Sequence, residues 1–185
     1  MSHDNALTHA SDEIPLVATA SQTVGPFFSF GLTTNAALGR MARPDTPGER
    51  IRLEIRLIDG AGAPVPDAVV EIWHADPAGA FLFGRMATDR AGVCAFETVH
   101  PGQSAPDARD AAHVNLCLFM RGLLRHLYTR LYFAGDPALE TDAILAAVPP
   151  DRRGTLIARR DEALPSTWRF DLHLQGDRET VYFDL

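Results

Sequence analysis

The residues that most invite a chemical reading are His113 and Asn115, in Ala112-His113-Val114-Asn115-Leu116. In a strand, alternate side chains share a face, so imidazole and carboxamide point the same way. A second imidazole at that spacing makes a clamp for a transition metal, whereas an amide is a far weaker ligand. The pair therefore reads either as half of a metal motif or as buried polar groups in a hydrogen-bond network. His74 and Asp76 of EIWHADPAG would also share a sheet face, but no third ligand accompanies them. Tyr128 and Tyr132 lie on one strand face with His126 and Arg130, where cross-strand packing is the simplest role. His3 and His9 belong to a polar N-terminal stretch, and His100 and His173 are isolated. There is no glycine-rich phosphate loop and no Gly-x-Ser-x-Gly elbow. The two cysteines, Cys94 and Cys117, sit in apolar stretches and read as small buried side chains.

Short strands must position these groups. Ile51, Leu53, Ile55 and Leu57 alternate with Arg52, Glu54 and Arg56, the period-two pattern of a half-buried strand. Further β-like runs follow at 65–75, 81–88, 93–99, 114–120 and 124–133, separated by Asp59-Gly60-Ala61-Gly62, Asp76-Pro77-Ala78-Gly79, Asp89-Arg90-Ala91-Gly92, Pro101-Gly102 and Arg121-Gly122. A last hairpin is expected from 167–174 and 179–184 around Gln175-Gly176-Asp177. Roughly eight closely spaced strands predict an all-β fold, an antiparallel β-sandwich. Residues 137–160 have helical character and form a short excursion from it. Residues 1–20 read as a flexible tail and 21–50 as an arm, whose SQTVGPFFSF carries three phenylalanines that need burial, and 51–185 as the sandwich.

With 185 residues and a formal net charge of -7, the chain is sized for one domain and poorly suited to nucleic acid. Neither a secretory signal nor an apolar run of about 20 residues is present, which predicts a cytoplasmic protein with no membrane partner. A non-enzymatic β-sandwich binding module remains the alternative to an enzyme on these grounds.

Taken together, GAGAPVPDAVVEIWHADPAGAF, FGRMATDRAGVCAFETVHPG, AHVNLCLFMRGLLRHLYTRLYF and FDLHLQGDRETVYFD resemble the intradiol ring-cleavage dioxygenases. Within that family they look like the alpha chains of its two-subunit, protocatechuate-cleaving members, and SQTVGPFF is similar to the opening segment of those chains. The resemblance implies an alpha–beta pair of the same fold, in which the beta subunit binds a non-haem Fe(III) through two tyrosines and two histidines. Its His-x-His strand corresponds to His113-Val114-Asn115 here. Residues 103–108, after the Pro-Gly turn, offer no tyrosine, and the segment from Gly79 carries Phe81 and Phe83 instead. His113 and Asn115 are thus a vestigial position, and no metal ligand or catalytic residue is assigned to this chain. Substrate-facing roles carry over to Thr23, Gly25 and Pro26 of SQTVGP and to Arg121 of FMRG, for which a salt bridge at the subunit interface is the other reading, with Phe27 and Phe28 packing at that interface. The implied reaction cleaves 3,4-dihydroxybenzoate with O2 to 3-carboxy-cis,cis-muconate, a step of aromatic degradation on the beta-ketoadipate route, in a higher-order assembly of alpha–beta pairs.

Overall fold

Alternation shapes the first strand. In β1 (Arg50–Ile58), Ile51, Leu53, Ile55 and Leu57 are buried while Arg50, Arg52 and Arg56 face solvent. The computed structural model describes residues 17–25, 27–102 and 110–184. The remaining strands are β2 (Val69–Ala75), β3 (Phe81–Ala87), β4 (Val93–Val99), β5 (His113–Phe119), β6 (Leu127–Phe133), β7 (Ile157–Arg160) and β8 (Thr167–His173). Three connections use one device. The carboxylates of Asp59, Asp76 and Asp89 each accept the backbone N–H groups two and four residues on. The glycine ending each Asp-x-Ala-Gly turn takes a positive φ, as such a tight reversal requires.

The strands run in the order β3-β2-β5-β6-β7-β8-β1-β4. They form two facing layers, β3-β2-β5-β6 and β7-β8-β1-β4, which β7 joins by pairing with β6 on one side and β8 on the other. Between the layers, Leu53 and Ile55 meet Ile72, Leu116, Leu118 and Phe96, all with no solvent exposure. Each such side chain contributes on the order of 2 kcal/mol of burial. A second cluster, Ala111, Tyr132, Leu145, Val148 and Leu156, fastens the helical excursion to the outside of the first layer.

The all-β sandwich is as expected, with three differences. Pairing is not wholly antiparallel: β1 runs parallel to β8, and β6 to β7. Those partners are far apart in sequence, so each has the long crossover that a parallel pair needs. The excursion is helical only as short turns at Pro137–Glu140 and Arg153–Leu156 and in α2 (Ala143–Ala147); Ile157–Arg160 is the joining strand β7. The expected C-terminal hairpin does not form. Strand β8 pairs with β1 along its length and with β7 only at Trp168 and Arg169; past its end the Thr180 N–H meets the His173 carbonyl at 2.9 Å, but no second strand follows among the described residues. The chain turns at Gly176 and crosses to β6, where Phe183 donates its N–H to the Tyr128 carbonyl at 2.8 Å. Among the described residues, no helix is long and apolar enough to cross a membrane.

Candidate functional site

Register decides what the His-x-Asn strand faces. Across β5 and β6, His113 stands opposite Tyr132, Asn115 opposite Arg130 and Cys117 opposite Tyr128, all on the outer face of their layer. The His113 Nδ1 lies 2.8 Å from the Ala111 carbonyl. A carbonyl only accepts, so Nδ1 carries the proton. Asp110 adds a carboxylate oxygen at 3.7 Å. Burial, foremost, and the Arg130 charge hold this imidazole below its ordinary pKa, against the opposing pull of the Ala111 carbonyl, Asp110 and Asp142. The Asn115 Oδ1 accepts from Arg130 Nε at 3.0 Å.

These groups do not fit a ferric ion. The one nitrogen of His113 left for a metal has beside it an amide oxygen already engaged by a guanidinium, and no group of three or more His, Cys, Asp or Glu suited to a metal occurs among the described residues. The face also offers little room for a catechol. The cleft at this face measures about 110 Å³ and is lined by Trp73, Asn115, Tyr128 and Arg130, with Ile144 of α2 and Phe183 of the C-terminal segment. Small-molecule sites usually offer a few hundred Å³. Arg130 brings a positive charge to this cleft. Its neighbour Tyr132 donates to Asp142 Oδ1 at 3.0 Å, and burial pushes that phenol up to about 12.

The His74–Asp76 pair is structural. His74 uses Nδ1 on the Ala75 carbonyl and Nε2 on the Thr98 hydroxyl, at 3.0 and 2.8 Å. The Asp76 carboxylate is taken by its turn. A groove of about 780 Å³ lies on the outer face of the other layer, bordered by the Arg56–Asp171 and Arg169–Glu54 ion pairs. None of the residues singled out for substrate or metal lines it.

The remaining expectations converge on one place. Thr23 Oγ1 accepts the backbone N–H of Gly122 at 2.7 Å, which joins the N-terminal arm to the β5–β6 turn. That turn, Met120 to Leu123, closes with a Leu123 N–H to Met120 carbonyl contact of 3.4 Å and has Gly122 at φ 92°, a type II arrangement. Arg121 projects from it into solvent, with Nη2 3.8 Å from the Asp67 carboxylate. Thr23, Gly25 and Arg121 are all exposed; Pro26, the fourth residue singled out, lies outside the described residues, as do residues 103–108. Among the described residues, none outside its chain neighbours comes within 4 Å of where a Cβ of Gly25 would stand, so none of them requires glycine there. Phe27 and Phe30 beside it are 76% and 65% exposed, and Leu124 beyond the turn is 64% exposed. Phe28 opens α1 (Phe28–Leu32) and is half-buried.

Sequence reasoning missed Asp67. It sits at φ 62°, the one non-glycine residue with positive φ among those described. Such a conformation costs on the order of 1–3 kcal/mol and persists only where its surroundings fix it. Here they do: the buried Thr88 hydroxyl donates to the Val65 carbonyl and accepts from the Ala68 N–H, at 2.8 and 3.0 Å. Residues 65–75 read as one strand, so neither the left-handed turn at Asp67 nor the partner of its carboxylate, just past the neighbouring β5, had a local sign.

The family model described as Dioxygenase matches residues 23–176. The chain is 40% identical over 195 residues to the protocatechuate 3,4-dioxygenase alpha chain of Pseudomonas putida, covering 91% of this chain and 97% of that one. To the alpha chain from Burkholderia cepacia it is 37% identical over 196 residues, covering 92% and 98%. The beta chain from Burkholderia cepacia is 30% identical over 181 residues, with 84% and 75% covered. Among solved structures, the dioxygenase domain of a carbohydrate-binding fusion protein from Streptomyces sp. SirexAA-E superposes with a TM-score of 0.61 at 24% identity, covering 77% of this chain and 88% of that one, a likeness of fold. The chain belongs to the intradiol ring-cleaving dioxygenase family.

Proposed function

We propose that this chain works as the alpha-type subunit of a protocatechuate 3,4-dioxygenase, completing the substrate cavity of a beta-type subunit that holds Fe(III). The pair cleaves 3,4-dihydroxybenzoate with O2 to 3-carboxy-cis,cis-muconate. The observation that carries this reading is the end-to-end likeness to alpha chains at 37% and 40% identity. The strand face that is closed by Arg130, Ile144 and Phe183 supports the assignment of the iron to the partner.

In this reading the chain contributes shape and charge. Arg121 supplies a charge-assisted hydrogen bond to the substrate carboxylate. Thr23, Gly25 and Pro26 form the wall beside it, and the exposed Phe27, with Phe28, packs against the partner and keeps water out of the cavity. Residues 21–50 act as the arm that reaches the partner and 51–185 as the sandwich, in a cytoplasmic assembly of several alpha–beta pairs.

Expressing the chain alone and together with a beta-type subunit tests the proposal. Iron, the red Fe–tyrosinate absorption and ring cleavage are expected only in the co-purified pair. Stoichiometric coloured iron in the lone chain would overturn it.

A further inference from the structure

We propose that Asp67 is a positioning residue for Arg121, fixing the guanidinium before substrate arrives; this rests on the reading that Arg121 faces the substrate. Three observations carry it. Asp67 holds a left-handed conformation, which aspartate tolerates better than most residues and glycine adopts without strain, and there its carboxylate meets a charged side chain. Among the described residues, the polar partner of that carboxylate is Arg121, at 3.8 Å. Both ends of the pair are anchored: Thr88 clamps the backbone on either side of Asp67, and Thr23 holds the Gly122 N–H next to Arg121.

An arginine on an exposed turn has many rotamers, and ordering them on binding weakens affinity. An ion pair to one Nη leaves the other donors of the fork free for a carboxylate on the opposite side. In the isolated chain the pair is more than half exposed and contributes little to folding. Its effect belongs to binding in the closed cavity, where water no longer screens it. Thr23, part of the substrate wall, also steadies the turn that carries Arg121 through its contact with the Gly122 N–H.

The test uses the assembled alpha–beta enzyme with Asp67→Asn, Asp67→Gly, Arg121→Ala and the Asp67→Asn/Arg121→Ala pair. Both Asp67 variants should raise KM for 3,4-dihydroxybenzoate about threefold to fivefold, the size of one such ion pair, with kcat and iron content kept. Asp67→Gly should do so while raising the thermal midpoint, because it relieves the backbone; a purely structural residue would not divide in that way. Asp67→Asn should add nothing once Arg121 is alanine. Unchanged KM in both Asp67 variants, with a raised KM in Arg121→Ala, overturns the positioning role alone, as does full additivity in the double variant. Unchanged kinetics in Arg121→Ala removes the substrate-facing reading itself, and this inference with it.

Discussion

Gly25 separates what this chain needs for itself from what it needs in company. Among the described residues outside its chain neighbours, nothing stands within 4 Å of a Cβ built there, and its φ is not left-handed. A Gly25→Ala substitution should therefore shift the unfolding midpoint of the lone chain by no more than about 0.5 kcal/mol in equivalent stability. If the loop approaches substrate in the partner's cavity, the same methyl group should lower kcat/KM of the assembled enzyme about tenfold, since small displacements at a reacting centre are expensive. Unimpaired activity in the pair would remove Gly25 from the substrate wall. His113 and Asn115 were legible from spacing alone, because a strand puts alternate residues on one face. The role of Arg130 was not. Its pairing with Asn115 depends on β5–β6 register, which the turn around Arg121-Gly122 fixes only once the chain is folded.

At the scale of elements, legibility followed whether the decisive contacts are local. The three Asp-x-Ala-Gly turns could be read directly, since carboxylate and amides lie within four residues of each other. The C-terminal hairpin was misread because the last segment pairs with β6 instead, at the Phe183–Tyr128 bridge, a contact distant in sequence. Asp142 combines both kinds of contact. It caps α2 through the Leu145 N–H at 2.7 Å, a local sign, but it also accepts from the Ala111 N–H at 3.0 Å and from Tyr132. One carboxylate, 1% exposed, thus ties the helix to the entry of β5 and the end of β6. Asp142→Ala would strand three donors and should destabilise the chain by about 3 kcal/mol, against about 1 kcal/mol for a simple cap. Urea unfolding measures this. A loss near 1 kcal/mol would mean that the contacts to Ala111 and Tyr132 add nothing.

For the whole molecule, one sandwich fold serves a chain whose cleft at the His113–Asn115 face measures about 110 Å³, small for a site that takes an aromatic acid. The interior still sets how the molecule tolerates acid. Burial is the largest cause holding His74 and His113 below the ordinary imidazole value, and the charges around them do not reverse it: Asp76 and His100 near the first, Arg130, Asp110 and Asp142 near the second. In the unfolded chain both take up a proton near pH 6.5, the usual value; in the folded chain they do so only at lower pH. Between those limits the unfolded state binds more protons, so stability rises with pH and falls as the solution is acidified below about 6.5. Asp142 acts in a separate, lower window. Burial pushes its carboxyl up, but the N–H groups of Leu145 and Ala111 and the Tyr132 hydroxyl outweigh that and hold it below its ordinary value. Its contribution is therefore present above about pH 4 and lost as pH falls through the lowered value. Urea midpoints measured from pH 8 down to 3 should be flat above 7, decline from about 6.5 and decline again below 4. Replacing both histidines with glutamine, which keeps a hydrogen-bonding end without titrating, should shrink the first decline to the share of His173, which burial also holds below its ordinary value, and leave the second. A midpoint that rises on acidification from pH 7 to 5.5 would contradict the direction assigned to both imidazoles.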